Sequence, residues 1–185
     1  MKKLSFSLIF ALLLAGCASL RVQSDYDPQF AFQTLHSVAV LYPKSDNRAL
    51  SLAQQRFHDA LAAQLRAKGY RLTDKTHADF YMLFHLDITQ KSQIVTDYRM
   101  MGLFPYRPFY GYGMAVPVER EYSWNEGRFI VDAVLPAQNR IIWRAIAVDR
   151  LHDFDTPQER QAYIQRVVNE VLAKFPPKPS KGDRL

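Results

Sequence analysis

Cysteine is nearly absent from this 185-residue chain, which contains only Cys17. A single thiol cannot form an intramolecular disulfide, so the class of small secreted domains held together by disulfides is excluded. The sequence also lacks a long hydrophobic segment of the kind that crosses a membrane. The apolar run from Leu4 to Leu14 is shorter than the about 20 residues that a transmembrane helix needs.

The lone cysteine comes shortly after this run. Two lysines precede the run, and this order is typical of a secretory signal peptide. The stretch Leu14, Ala15, Gly16 and Cys17 resembles a bacterial lipobox, in which the chain is cut before the cysteine. We therefore expect residues 1–16 to be a lipoprotein signal peptide, and the resemblance implies acyl chains such as palmitate on Cys17. Two alternatives remain open: a short N-terminal anchor helix with a chance cysteine, and an ordinary cleaved secretory signal.

The residues after Cys17 predict where such a lipoprotein would lie. Ala18 stands where an aspartate would retain an enterobacterial lipoprotein at the inner membrane. We therefore expect an outer-membrane anchor, with the domain facing the periplasm. Only Ala18 to Leu20 separate Cys17 from the first predicted strand, so the domain should lie close to its membrane.

The charge balance is modest. The formal net charge is +6, and two of the positive charges belong to the expected signal peptide. The remaining charge suits anionic lipid, peptidoglycan carboxylates or an acidic envelope protein, and it equally suits a solvated surface. A nucleic-acid partner is not expected in the periplasm.

Hydrophobic periodicity predicts one domain over residues 17–177 and a disordered basic tail over 178–185. The expected order is β-β-α-β-β-β-β-α. This order indicates an α+β two-layer sandwich with a mainly antiparallel sheet and two amphipathic helices on one face. Asp46, Asn47 or Ser51 can cap the first helix, whereas Thr156 with Pro157 and Glu159 starts the second.

An aromatic segment interrupts the strand pattern over residues 99–118, which we interpret as a long loop because Pro105 and Pro108 exclude a helix. Tyrosine and arginine are enriched in binding hot spots, so this loop is the candidate contact surface. The alternative is that its rings fold back over the sheet and are buried. The contact residues that we predict are Phe104, Tyr106, Arg107, Phe109, Tyr110 and Tyr112.

Catalytic and metal-binding patterns are weak. His85 and Asp87 share one strand face, but nothing in the sequence supplies further metal ligands. There is no Gly-x-Ser-x-Gly motif, and an acylated Cys17 cannot act as a nucleophile. Seven carboxylates could pair as acid and base without a motif that fixes a pair: Asp25, Asp27, Asp87, Glu119, Glu121, Glu126 and Asp132. We predict no catalytic residue, no metal and no cofactor.

Several short motifs occur in an order that resembles a known family. They are residues 22–28 after the lipobox, the Tyr/Gly-rich loop, Asn125 to Asp132, Ile141 to Ala145, and the helix that ends at Lys174 to Pro177. Together they resemble bacterial lipoproteins that carry the domain of unknown function 4136. The resemblance implies an envelope lipoprotein with an α+β domain and supplies no reaction.

We therefore expect a non-enzymatic accessory or interaction module of the cell envelope, anchored through Cys17, whose partner is an envelope protein or peptidoglycan. The alternative is a small-ligand or lipid-binding module with a groove between the aromatic loop and the sheet. A peptidoglycan-acting hydrolase is the third hypothesis.

Overall fold

The computed structural model describes residues 20–43, 49–101 and 114–178. The expected signal peptide and Cys17 lie outside the described residues. So do the predicted contact residues Phe104, Tyr106, Arg107, Phe109, Tyr110 and Tyr112, and nearly all of the basic tail. In the described part of the chain, no helix is both long and apolar enough to cross a membrane.

A six-stranded sheet forms the centre of the fold, with the strand order β1-β6-β5-β4-β2-β3. Its strands are β1 (Arg21–Tyr26), β2 (Ser37–Leu41), β3 (Arg71–Leu72), β4 (Phe80–Met101), β5 (Met114–Leu135) and β6 (Arg140–Arg150). A short 3-10 helix, Phe32–Thr34, and two α-helices, α1 (Leu52–Ala67) and α2 (Pro157–Leu172), complete the described elements. The α+β class is confirmed.

The sheet is mixed. Strands β1, β6, β5 and β4 pair antiparallel, whereas β4 with β2 and β2 with β3 pair parallel. The β2–β3 pair is parallel because α1 connects the two strands as a crossover. Residues 73–79 then carry the chain to the other side of β2, where β4 runs in the same direction.

Of the caps that the sequence offers for the first helix, Ser51 is the one that forms, rather than Asp46 or Asn47, and the second helix begins after Thr156 as predicted. The Ser51 hydroxyl accepts from the Gln54 backbone N–H at 3.1 Å, and the Gln54 side chain accepts from the Ser51 N–H at 2.8 Å, which completes a capping box. The Thr156 side chain accepts from the Glu159 N–H at 3.2 Å, with Pro157 at the first helical position. Gly69, just after α1, has φ +93°, a conformation that suits glycine.

One face of the sheet packs against both helices and forms the core. On the sheet, alternate residues of β4, β5 and β6 are buried, among them Phe80, Val131 and Trp143. On the helices, the buried stripe includes Phe57 of α1 and Val167 of α2. This mainly apolar interface explains why buried and exposed side chains alternate along the strands near the helices. Both described helices pack on this one face.

The predicted loop over residues 99–118 was too long. Strand β4 continues to Met101 and β5 resumes at Met114, and the two strands pair in register from Tyr81 with Val134 to Met101 with Met114. Residues 94–98, which the alternation left as a continuation or a separate strand, continue β4. Proline at position 117 did not end the strand, because β5 lies at the edge of a two-stranded ribbon there.

Candidate functional site

The hairpin of β4 and β5 extends far beyond the rest of the sheet. Strand β2 pairs with β4 only as far as Leu83, and β6 pairs with β5 only from Glu126 onward. Beyond these points β4 and β5 pair with each other alone. We call residues 91–101 and 114–124 the arm. At about 3.3 Å per residue it is roughly 35 Å long.

The arm is exposed on the face that continues the core face of the sheet. Ile94 and Tyr98 of this face are 64% and 73% exposed. Between them and across from them lie Thr96, Glu119 and Glu121. The face therefore combines exposed apolar side chains with two carboxylates. None of the helices that bury the root of the same strands covers it.

On the opposite face of the arm, several side chains are more buried than Ile94 and Tyr98 are. Val95, Val116, Val118 and Trp124 are half-buried there, and Tyr122 is 49% exposed. The Arg150 guanidinium lies 5.2 Å from the Trp124 ring centroid, a cation–π contact that joins the arm to the end of β6. The Asp97–Arg120 ion pair, at 3.6 Å, is exposed and contributes little.

Both outer edges of the arm are open. In the described part of the chain, the backbone of the arm makes no ladder hydrogen bonds except between its own two strands. The last edge contact on the β5 side is Leu151 N–H to Asn125 O at 2.8 Å, just below the arm. Unpaired edges are templates for strand addition, and charged residues and Pro117 limit unspecific pairing.

The predicted contact residues belong to the segment that joins the two strands of the arm. That segment lies outside the described residues, so the contact residues remain a prediction. Sequence reasoning missed how far the strands on either side of the segment extend. Polar Gln90, Ser92 and Thr96 interrupt the apolar face of β4, so the sequence offered no clear signal of this extension.

The proposed ligand and acid–base residues do not converge. His85 and Asp87 are both exposed, and in the described residues no three ligand-type side chains come together. Two of the seven carboxylates are held by arginines. Asp27 accepts from Arg140 at 2.6 Å, and Asp132 makes a two-point contact with Arg144 at 2.6 and 2.7 Å, which raises the pKa of Arg144.

Two further carboxylates have lowered pKa values for structural reasons. The pKa of Asp79 is lowered first by the backbone N–H of His36 and then by that of Ser37, at 2.9 and 2.8 Å. Hydrogen bonds from Thr76 and then His77 lower the pKa of Asp74 to about 2. Both carboxylates brace turns beside β2 and β4, so their shifts do not indicate catalysis.

An apolar cleft lies at the base of the arm. We call it the arm-root cleft; it measures about 290 Å³. Strands β4 and β5, the first turns of α1 and α2, and residues 151–154 form its walls. Leu86, Phe129, Leu151, Phe154 and Ile164 supply apolar lining. Sequence reasoning missed this cleft, because residues 151–154 have no periodicity that places them over the sheet.

A buried polar cluster borders the cleft through Tyr163. Asp149, 2% exposed, is the one charged side chain that is fully buried in the described residues. Its Oδ2 atom lies 3.3 Å from Nη2 of Arg166. Burial, and then the charge of Asp149, raise the pKa of Tyr163. The tyrosine is therefore neutral at physiological pH, and the cluster fixes α2 on β6.

Gly127 shapes the same wall. A Cβ at this position would lie 2.8 Å from Cδ2 of Leu151 and 3.1 Å from Cε2 of Phe129. The absent side chain lets Leu151 fold over β5 and close one end of the cleft.

Structure comparison finds solved proteins that are similar to this chain at low sequence identity. A PDZ domain protein from Parabacteroides distasonis is 12% identical with a TM-score of 0.56; the match covers 94% of this chain and 40% of that protein. PelC from Paraburkholderia phytofirmans, solved as a dodecamer, is 11% identical with a TM-score of 0.47, covering 83% and 95%. A neuraminyllactose-binding hemagglutinin homolog from Helicobacter pylori is 15% identical with a TM-score of 0.41, covering 84% and 94%. The last two likenesses are too distant to carry an argument.

Sequence comparison gives the family. No curated protein matches the chain. The family described as "Domain of unknown function (DUF4136)" matches residues 22–177. This range includes both helices and every described strand, apart from the first residue of β1. The chain therefore belongs to the DUF4136 family.

Proposed function

We propose that this protein is an outer-membrane-anchored periplasmic lipoprotein that acts as a non-enzymatic interaction module of the cell envelope, with the arm as its contact element. The observation that carries this proposal is the extension of β4 and β5 beyond every neighbouring strand. An isolated two-stranded ribbon is marginally stable in water, so a partner that covers it gains contacts and stabilises it.

The chemistry of the arm supports an extended protein segment as the partner. Open strand edges offer backbone donors and acceptors, and exposed Ile94 and Tyr98 offer side-chain contacts on one face. Strand addition uses this combination: the backbone provides affinity and alternate side chains provide specificity.

The lipobox supports the anchor. Strand β1 begins at Arg21, so three residues separate it from Cys17. Cys17→Ala should release the protein from the membrane fraction into the periplasm. Ala18→Ser, which leaves the cysteine in place, is the control. Recovery of the Cys17→Ala protein in membranes, held as tightly as the wild type, would contradict the lipoprotein proposal.

The contact role is tested in the aromatic segment between β4 and β5. A pull-down from detergent-solubilised envelopes should lose its specific partner when Tyr110 and Tyr112 are both changed to alanine. The matched control is Tyr42→Ala, which removes a ring that is 37% exposed and lies outside the arm. Equal recovery of the partner by both variants would argue against a contact through Tyr110 and Tyr112.

The second candidate function is binding of a small ligand or lipid. The arm-root cleft favours it, because its apolar walls give such a ligand a site that does not use the arm edges. The predicted groove beneath the aromatic loop lies outside the described residues.

A further inference from the structure

The geometry of the arm-root cleft points to one class of ligand: an amphiphile that places an acyl chain in the cleft and an acidic head group at its rim. The inference rests on the second candidate function and not on strand addition by the arm.

The walls of the cleft suit an acyl chain. Phe129, Phe154 and Tyr163 supply aromatic surface, while Leu86 and Ile164 supply aliphatic surface. Phe154 and Tyr163 pack together with their ring centroids 4.9 Å apart. A volume of about 290 Å³ is just below the range of small-molecule sites, which span roughly 300–1,000 Å³. The cleft therefore fits a single chain better than a bulky ring system.

The rim is open at Ile88. This side chain lines the cleft, yet it is 67% exposed. An acyl chain that enters here would cover apolar surface that water now contacts.

The charged groups at the rim favour an acidic head. Arg56 projects from α1 and has no ion-pair partner in the described part of the chain. Arg160 lies in the first turn of α2, where its Nη2 donates to the Phe154 carbonyl at 2.9 Å. This bond holds one guanidinium beside the aromatic wall.

The opposing charges at the rim are fewer. His152 and Asp153 are exposed on the connecting segment. Asp87 also borders the cleft, but strand alternation directs its side chain to the face opposite Leu86 and Ile88. Two arginines, Arg56 and Arg160, and one aspartate, Asp153, therefore remain at the rim, and this balance suits a carboxylate or a phosphate.

Photolabelling with the full chain tests this inference. A diazirine-bearing fatty acid, the corresponding alcohol and a phosphatidylglycerol with the same photoreactive chain are each photolysed with the protein in phosphatidylcholine nanodiscs. Labelled residues are then mapped by mass spectrometry. The inference predicts labelling of residues 84–88 and 151–164 by an acidic probe, at least about threefold above the alcohol. Labelling by the fatty acid alone identifies a free acid as the source, and labelling by phosphatidylglycerol alone identifies a lipid.

Two matched pairs of variants locate the site. Ala53 lines the cleft from an exposed position of α1, whereas Ala63 is exposed on the same helix away from it. Ala53→Phe should abolish cleft labelling and Ala63→Phe should not. Arg56→Gln should lower labelling by the acidic probes about threefold and leave labelling by the alcohol unchanged, with Arg66→Gln as its control.

Labelling that is spread over the surface, that persists in Ala53→Phe, or that is equal for acid and alcohol would overturn the inference. Partner recovery through Tyr110 and Tyr112 is measured separately, so failure here leaves the contact role of the arm to its own test.

Discussion

The same two strands behave differently at their root and in the arm. In the root, Phe80 and Met82 of β4 are fully buried by the helices and by the aromatic cluster around Phe175. In the arm, Ile94 and Tyr98 continue the same face of the same strand and are mostly exposed. Backbone pairing is continuous through both regions. Burial of a strand residue therefore depends on what packs over the strand. In the arm, Ile94 and Tyr98 are apolar side chains that no described helix covers.

The largest expected difference concerns aromatic truncation within β4. Phe80→Ala should lower the free energy of unfolding by about 3–5 kcal/mol, because it leaves a cavity among Tyr70, Phe175 and the helices. Tyr98→Ala should change it by less than about 0.5 kcal/mol. Urea unfolding of both variants measures the comparison. If Tyr98→Ala lowered the free energy of unfolding by several kcal/mol, Tyr98 would have to be packed against the rest of the domain, and the comparison would fail.

Ion pairs give a smaller contrast. Asp132 is 14% exposed and bonds both Nε and Nη2 of Arg144, so Asp132→Asn should cost about 1 kcal/mol of stability. Asp97 contacts Arg120 at 3.6 Å and is 49% exposed, so Asp97→Asn should cost about 0.2 kcal/mol or less. Equal losses in urea unfolding would show that the arm pair is more ordered than its exposure indicates.

The smallest effect is a pH dependence at the root. The pKa of Asp79 lies below its ordinary value of 3.8, because two backbone N–H groups donate to the carboxylate. Its stabilisation is therefore present above about pH 4 and is lost as the pH falls through the lowered pKa. We expect acid to lower the melting temperature less for Asp79→Asn than for the wild type. Thermal unfolding between about pH 5 and about pH 2, which brackets the ordinary pKa of an aspartate, measures this difference. Asp97→Asn should follow the wild-type curve, and a flattened curve for this control would contradict the assignment to the root.

The root of the fold could be predicted because each local signal agreed with the packing. The alternation of Arg128 to Leu135, the cap at Thr156 and Gly69 after α1 each predict the structure that forms. The parallel pairing of β2 could not be predicted from periodicity, since alternation gives the faces of a strand and not its neighbours. The extension of the hairpin was missed for a related reason: exposed Gln90, Ser92 and Thr96 interrupt the apolar face on which a strand prediction depends.

The candidate site was predictable only in part. The sequence singled out the aromatic segment that joins the arm strands, but Arg56 and Arg160 of the cleft are brought together by tertiary packing alone. Residues so far apart in the chain carry no shared local pattern.

The central claim is that the arm, and not the helical face of the body, contacts the envelope partner. Photo-crosslinking in living cells tests it most directly, with the crosslinking amino acid placed at Tyr98 in the arm or at Ala63 on α1, both exposed. The account predicts a discrete adduct with one envelope protein from position 98 and none from position 63. No adduct from position 98, or the same adduct from both positions, would contradict it.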